Sequence, residues 1–385
     1  MGAVMTKSGH IGSLAAVFAI AGFSSCASFE RKQAAAPGES GATVWLNAAK
    51  RHEFAVEGLP WFSVLRTFRR LPLDPNGTEF SKEVNDLADN TAGAVIRFRT
   101  NSRTVKVRVQ LSSHSFMDHM PATGQSGIDL YDEIGGRFRF CGVTRLKPQD
   151  VNYESELCSW KETAWREIAL NLPLYNGVRA LEIGISSGSR IDIARMHRRR
   201  GKIVVYGTSI TQGAVASRPG LGWVNQLGRA LDQEIVNLGF SGSGLGEPAL
   251  ARRIAEIGDL SLIILDYEAN AQKGILSTLE PFIEILRAAH SDLPIVVMSQ
   301  IPWVWEFRSA EYSKFRDDLR RFQSRTVTEL RARGDANLYF IDGNELMPRE
   351  RFEEGLVDGV HPNDLGMTWI AEGVGRRLEG FGLLK

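Results

Sequence analysis

From about Thr43 to Arg190 the apolar positions keep a short period. Val105, Val107, Val109 and Leu111 alternate with Lys106, Arg108 and Gln110, which puts one face of a strand in a core and the other in water. Val95-Ile96-Arg97-Phe98 precedes this run. Ile128 to Tyr131 and Phe138 to Phe140 flank Gly135-Gly136, a hairpin signal. Ile168 to Leu172 and Ala180 to Ile185 continue the series. Many short strands with almost no helical period predict a β-sandwich or jelly roll over residues 43–190.

After Lys202 the rhythm changes. Ile203 to Tyr206, Ile235 to Leu238, Leu262 to Leu265, Ile295 to Met298 and Leu338 to Ile341 are largely apolar runs, suited to strands buried on both faces of a parallel sheet. Helical stretches lie between them, at Trp223 to Leu231, Leu279 to Ala289 and Phe315 to Arg333. A last helix is expected from about Asp364 to Leu378. The alternation predicts a five-stranded, doubly wound α/β domain over residues 202–385, with any catalytic groups at the carboxyl ends of its strands. Residues 191–201 form the linker, and the basic run Arg195 to Lys202 reads as a solvated part of it.

The N-terminus differs in kind. Lys7, the apolar run Ile11 to Phe23 and the small residues Ser24-Ser25-Cys26-Ala27 have the layout of a secretory signal over residues 1–27, too short to span a bilayer comfortably. Cys26 is the candidate for acylation, and cleavage after Ala27 is the alternative. Residues 28–42 read as a tether. The protein is therefore expected to be exported, to the periplasm, the exterior, or the envelope through a lipid anchor. Cys141 and Cys158 would remain in the mature chain, either paired or as free thiols. Across 385 residues, 46 Lys and Arg balance 45 Asp and Glu, which argues against nucleic acid as a partner.

The first buried strand of the second half runs into Gly207-Thr208-Ser209-Ile210-Thr211-Gln212-Gly213. Ser209 thus stands at the expected catalytic edge, and its hydroxyl needs a general base. Near the other end, Asp358-Gly359-Val360-His361 allows one loop to fold a carboxylate onto the imidazole Nδ1. Nε2 is then free to take the serine proton. Acyl transfer also needs donors for the developing oxyanion. The Ser209 N–H, Gly242 in Gly239-Phe240-Ser241-Gly242-Ser243-Gly244, and the Asn270 amide follow successive strands and are the candidates.

These blocks resemble those of SGNH (GDSL-like) hydrolases. The resemblance implies a flavodoxin-like catalytic domain with Ser209 as nucleophile, His361 as base and Asp358 as its orienter. It also implies an oxyanion hole of Ser209, Gly242 and Asn270, and no cofactor. One departure is that the third block, usually Gly-x-Asn-Asp, reads Glu268-Ala269-Asn270-Ala271. Upstream, His119 to Gly124, Gly127-Ile128-Asp129-Leu130-Tyr131 and Leu172 to Gly177 resemble a β-domain often fused before such catalytic domains. Two-domain carbohydrate acetylesterases share that arrangement.

Trp303 and Trp305 follow the fourth strand, where they would stack on a sugar or pack against the neighbouring domain. His119 is a candidate substrate contact. His114, Asp118 and His119 lack a fourth ligand, so no metal is expected. Glu247 is expected to cap a helix rather than touch substrate. The expected activity is hydrolysis of a small acyl ester, acetyl first, on a glycan or small molecule, with a lipase or lysophospholipase as one alternative. A non-catalytic glycan-binding envelope protein is the other.

Overall fold

The computed structural model describes residues 42–384; the expected signal segment, Cys26 and nearly all of the tether lie outside them. The N-terminal half contains β1 (Thr43–Asn47), β2 (Ala55–Glu57), β3 (Val95–Thr100), β4 (Thr104–Leu111), β5 (Asp129–Ile134), β6 (Arg137–Val143), β7 (Asn152–Ser159), β8 (Arg166–Asn171), β9 (Val178–Ser186) and β10 (Ile191–Asp192). One antiparallel sheet runs β1-β9-β4-β7; the other runs β10-β3-β8-β5-β6, with β2 on β3. Ile96 and Phe98 of one sheet meet Val105, Val107 and Val109 of the other in a shared core, as the alternation requires. Ile134 pairs with Arg137 across Gly135 and Gly136, whose φ values of 61° and 77° are those a two-residue hairpin turn demands. Cys141 and Cys158 are joined as a disulfide. It links β6 and β7, the edge strands of the two sheets.

The C-terminal half holds β11 (Lys202–Gly207), β12 (Ile235–Gly239), β13 (Leu260–Asp266), β14 (Ile295–Met298) and β15 (Leu338–Ile341). These strands are parallel, in the order β12-β11-β13-β14-β15, the doubly wound flavodoxin-like order. Separate apolar clusters cover its two faces. Two helices start earlier than their apolar period suggests. The helix Ile275–Ala289 begins ahead of Leu279 and carries Pro281 in its interior, on an exposed face where the carbonyl freed by the proline meets water. The helix Ala310–Ala332 opens on a polar turn capped by the Ser309 side chain.

The halves are closely joined. Between β2 and β3 the chain leaves the sandwich, and Leu71, Phe80 and Val84 pack in the same cluster as Val236, Leu238 and Phe240 of the parallel-sheet half. Asp129, fully buried, accepts from Arg218 Nη1 at 2.7 Å, Gly220 N–H at 2.9 Å and Asn171 Nδ2 at 2.8 Å. The basic run is less free than a solvated linker would be. Arg195 bonds Glu133 and Asp232, and His197 lies 3.0 Å from both Glu57 and Asp232. Carboxylates from both halves draw these cations in.

Candidate active site

Ser209 opens a one-turn helix, Ser209–Gln212, directly after β11. Thr208 caps it, and the turn closes on Gly213 in a left-handed conformation at φ 104°. Ser209 is nearly buried, with 8% of its surface exposed, and its Oγ lies 2.9 Å from His361 Nε2.

His361 sits on a short loop just before the helix Asp364–Gly380, whose first turn is capped by the Asn363 side chain. Asp358 Oδ2 lies 2.7 Å from His361 Nδ1. Its Oδ1 accepts from the His361 and Val360 backbone N–H groups at 2.7 and 3.0 Å. Burial works to raise the Asp358 pKa, but these bonds together outweigh it and hold the carboxyl below its usual value. A carboxylate kept ionised against Nδ1 fixes the tautomer that leaves Nε2 able to accept a proton. Ser209 and His361 are brought together from positions 152 residues apart in sequence.

The loop after β12 is pinned on both sides of Gly242. Ser241 N–H donates to Gln212 Oε1 at 3.0 Å, and Ser243 and Gly244 N–H donate to the Phe240 carbonyl at 2.9 and 3.0 Å. Gly242 has φ 70° and open space where a side chain would stand. Among the described residues, neither the Ser209 nor the Gly242 N–H has a hydrogen-bond acceptor. Asn270 lies in the one-turn helix Glu268–Ala271, and its Oδ1 accepts from Gly244 N–H at 3.4 Å. That bond occupies the amide oxygen and leaves Nδ2 as the donor.

The departure at Glu268 has a structural role. Its fully buried carboxylate accepts from Gln300 N–H at 2.8 Å and Gln323 Nε2 at 2.7 Å, and pairs with the Arg316 guanidinium. Glu268 thereby fixes the Asn270 turn to the loop after β14. Sequence reasoning missed this network, along with Gln212 and Asp266. No local pattern marks a buried polar residue whose partners come from distant strands.

The sandwich side contributes His119, whose ring centroid is 6.0 Å from that of His361. Asp118 Oδ1 is 3.1 Å from His119 Nδ1. His119, Asp358 and His361 offer ligand atoms within 4.8 Å of one another, but Asp358 and His361 already bind each other. His114 is exposed and stands outside this group. Val304 N–H donates to the Gly359 carbonyl at 3.1 Å, so the Trp303–Trp305 segment touches the loop of Asp358. Trp303 stacks on Tyr312 of its own half at 6.4 Å, whereas Trp305 is 51% exposed. Glu247 stands at the N-cap of the helix Pro248–Ala255, but its side chain does not cap that helix. It takes the Tyr206 hydroxyl at 2.6 Å instead, because that buried phenol needs an acceptor.

A serine, histidine and aspartate joined in series at the carboxyl edge of a β12-β11-β13-β14-β15 sheet define the class of SGNH-type hydrolases. Residues 200–379 match the GDSL-like lipase/acylhydrolase family, and residues 43–191 match the GxDLY domain, the N-terminus of SGNH-hydrolase-type esterases. A crystal structure from Bacteroides ovatus ATCC 8483, assigned as a GDSL-like lipase, shares 31% identity over 88% of this chain and 98% of its own, with a TM-score of 0.79. The chain belongs to the GDSL-like lipase/acylhydrolase family of SGNH hydrolases, in its two-domain form. The fold is shared with the salicylyl-acyltransferase SsfX3 from a tetracycline biosynthetic pathway (21% identity, 88% and 98% coverage, TM-score 0.72). It is also shared with a family two carbohydrate esterase from Cellvibrio japonicus (14% identity, 90% and 100% coverage, TM-score 0.58). No curated protein matches the chain.

Proposed function

We propose that the protein is a serine esterase hydrolysing small acyl esters, acetyl esters of carbohydrates first among them. The observation that carries this reading is the unbroken series Ser209 Oγ, His361 and Asp358, at 2.9 and 2.7 Å. Ser209 Oγ attacks the ester carbonyl carbon while its proton passes to His361 Nε2. The carbonyl electron pair moves onto oxygen, where the Ser209 and Gly242 N–H groups and the Asn270 amide receive it. Collapse breaks the bond to the alkoxide, which leaves with the proton from His361. Water then attacks the acyl-enzyme by the same steps, releasing the acid and restoring Ser209.

A glycan as the alcohol part is supported by the fold shared with family two carbohydrate esterases, one solved with cellohexaose. The exposed Trp305 offers a stacking face, and His119 with Asp118 offers polar contacts beside His361. Export through residues 1–27 would bring the enzyme to envelope or extracellular glycans; a Cys26→Ser variant that stays membrane-associated would rule out acylation there.

A second reading has its own observation. Phe116, Leu245 and Val357 are exposed apolar residues on the loops that bear His119, Gly242 and Asp358, and Trp305 and Phe307 are exposed on the short helix Trp305–Arg308 that follows β14. A rim of that kind suits a longer or aromatic acyl group. The test is a panel of acetylated oligosaccharides and chromogenic esters of increasing chain length, with wild type and Ser209→Ala. Acetate release from the glycans, lowered at least about 10³-fold by the substitution, is the expected outcome. Turnover of longer esters alone favours the second reading, release that survives Ser209→Ala overturns the nucleophile, and silence on every ester leaves a glycan-binding protein.

A further inference from the structure

Two buried polar side chains of the N-terminal half reach behind the loops that would form the oxyanion hole. Arg70 is fully buried, yet no carboxylate binds it. Its guanidinium instead donates to main-chain carbonyls, to Gly239 at 2.5 Å and Asn237 at 3.3 Å through Nη1, and to Leu87 at 2.7 Å through Nη2. It also lies 4.7 Å over the Phe240 ring. Gly239 and Phe240 are the residues from which the Gly242 loop departs. Burial pushes the Arg70 pKa down to about 9, which still leaves the group charged at neutral pH.

Tyr175 comes from the segment that follows β8, and is 8% exposed. Its hydroxyl donates to the Ser209 carbonyl at 3.3 Å. The adjoining Leu174 carbonyl accepts from Gln212 Nε2 at 3.0 Å, and Gln212 Oε1 in turn takes the Ser241 N–H at 3.0 Å. The nucleophile turn and the Gly242 loop are thus fastened to each other and to the sandwich half by the same few groups. A buried arginine is costlier to desolvate than a neutral side chain filling the same space, and here the hydrogen bonds that offset that cost all fall on main-chain carbonyls, which they hold in place.

We propose that Arg70 and Tyr175 are positioning residues for the oxyanion hole, so that the β-domain is part of the catalytic machinery rather than an attached module. The proposal rests on the esterase reading given above. Neither residue touches substrate. Arg70 holds the origin of the Gly242 loop, and Tyr175 holds the backbone of Ser209, so that the two N–H groups converge on one oxygen position. The carbonyl that Tyr175 binds belongs to the residue whose own N–H is one of those donors.

The test uses the full chain with Tyr175→Phe, Arg70→Met and Arg70→Lys, against an ester that the wild type cleaves. Active sites are counted by end-point labelling with a fluorophosphonate, which separates fewer competent molecules from slower ones. The expected result is a full count of sites, KM within about twofold of wild type, and kcat lower by about tenfold in Tyr175→Phe and about a hundredfold in Arg70→Met. Arg70→Lys should recover part of that loss. The affinity of a boronic acid, which mimics the tetrahedral state, should fall in step with kcat/KM. Unchanged kcat per labelled site in Tyr175→Phe and either Arg70 variant overturns the proposal, as does a loss carried wholly by KM or by the number of sites. If the Arg70 variants fail to fold, Tyr175→Phe, which removes a single oxygen, decides alone. A wild type that turns over no ester refutes the esterase reading itself, and the proposal falls with it.

Discussion

Asp266, the last residue of β13, receives the Thr211 hydroxyl at 2.7 Å, two residues past Ser209. Burial raises its pKa to about 7, against the lowering effect of that one bond. The folded state therefore binds a proton that the unfolded chain has already lost, and stability falls as pH rises from about 4 to 7, by roughly 1.4 kcal/mol per unit for this group. Asp266→Asn keeps an acceptor for Thr211 without the charge. Its thermal midpoint should be flatter than that of wild type across this window and higher above pH 7; parallel curves for the two proteins would refute the account. Asn270→Ala should keep KM and lower kcat by about a hundredfold, read from steady-state kinetics. At this scale the sequence was legible where function fixes both residue type and place: a serine at a strand end, and an aspartate three before a histidine. It was opaque at Arg70, Gln212 and Glu268, whose identities make sense only once distant carbonyls and amides surround them.

The strands could be read because burial imposes a period, of two in β4 and of unbroken apolar runs in β11 to β15. Helix starts were less readable. The opening turn of Ala310–Ala332 is set by a polar cap, with no apolar stripe to announce it. The excursion between β2 and β3 was not readable at all, since Leu71, Phe80 and Val84 carry no sign that their core belongs to the other half. Pairing of the cysteines needed coordinates, because two strands that are neighbours in sequence sit at the edges of different sheets. That disulfide closes a sequence separation of 17 residues, and in the chain-entropy model a loop of this size stabilises by about 3 kcal/mol. Cys141→Ser, or reduction, should lower the thermal midpoint by several degrees, measurable by calorimetry, while leaving KM unchanged because neither cysteine lies in the candidate site.

His197 bridges the halves of the molecule, with Glu57 on one side and Asp232 on the other. Burial and the neighbouring Arg97, 2.8 Å away, oppose its charge, but the two carboxylates outweigh them and its pKa is raised. A raised histidine stabilises fully below its unfolded value near 6.5 and loses that contribution as pH climbs through the folded one. Wild type should thus lose stability above about pH 6.5, and His197→Gln should flatten this upper branch, whereas Asp266→Asn flattens the lower; a wild-type midpoint constant from pH 6.5 to 9 would refute the clamp. The buried Asp129, held by Arg218 and Gly220 across the same seam, has a consequence for ancestry. A catalytic half recombined with a foreign β-module would lose the acceptor of Arg218, and the β-half would keep a carboxylate with no cation. Gene shuffling that cuts between residues 191 and 201 should therefore yield chimeras that misassemble, and the two halves should descend together as one heritable unit.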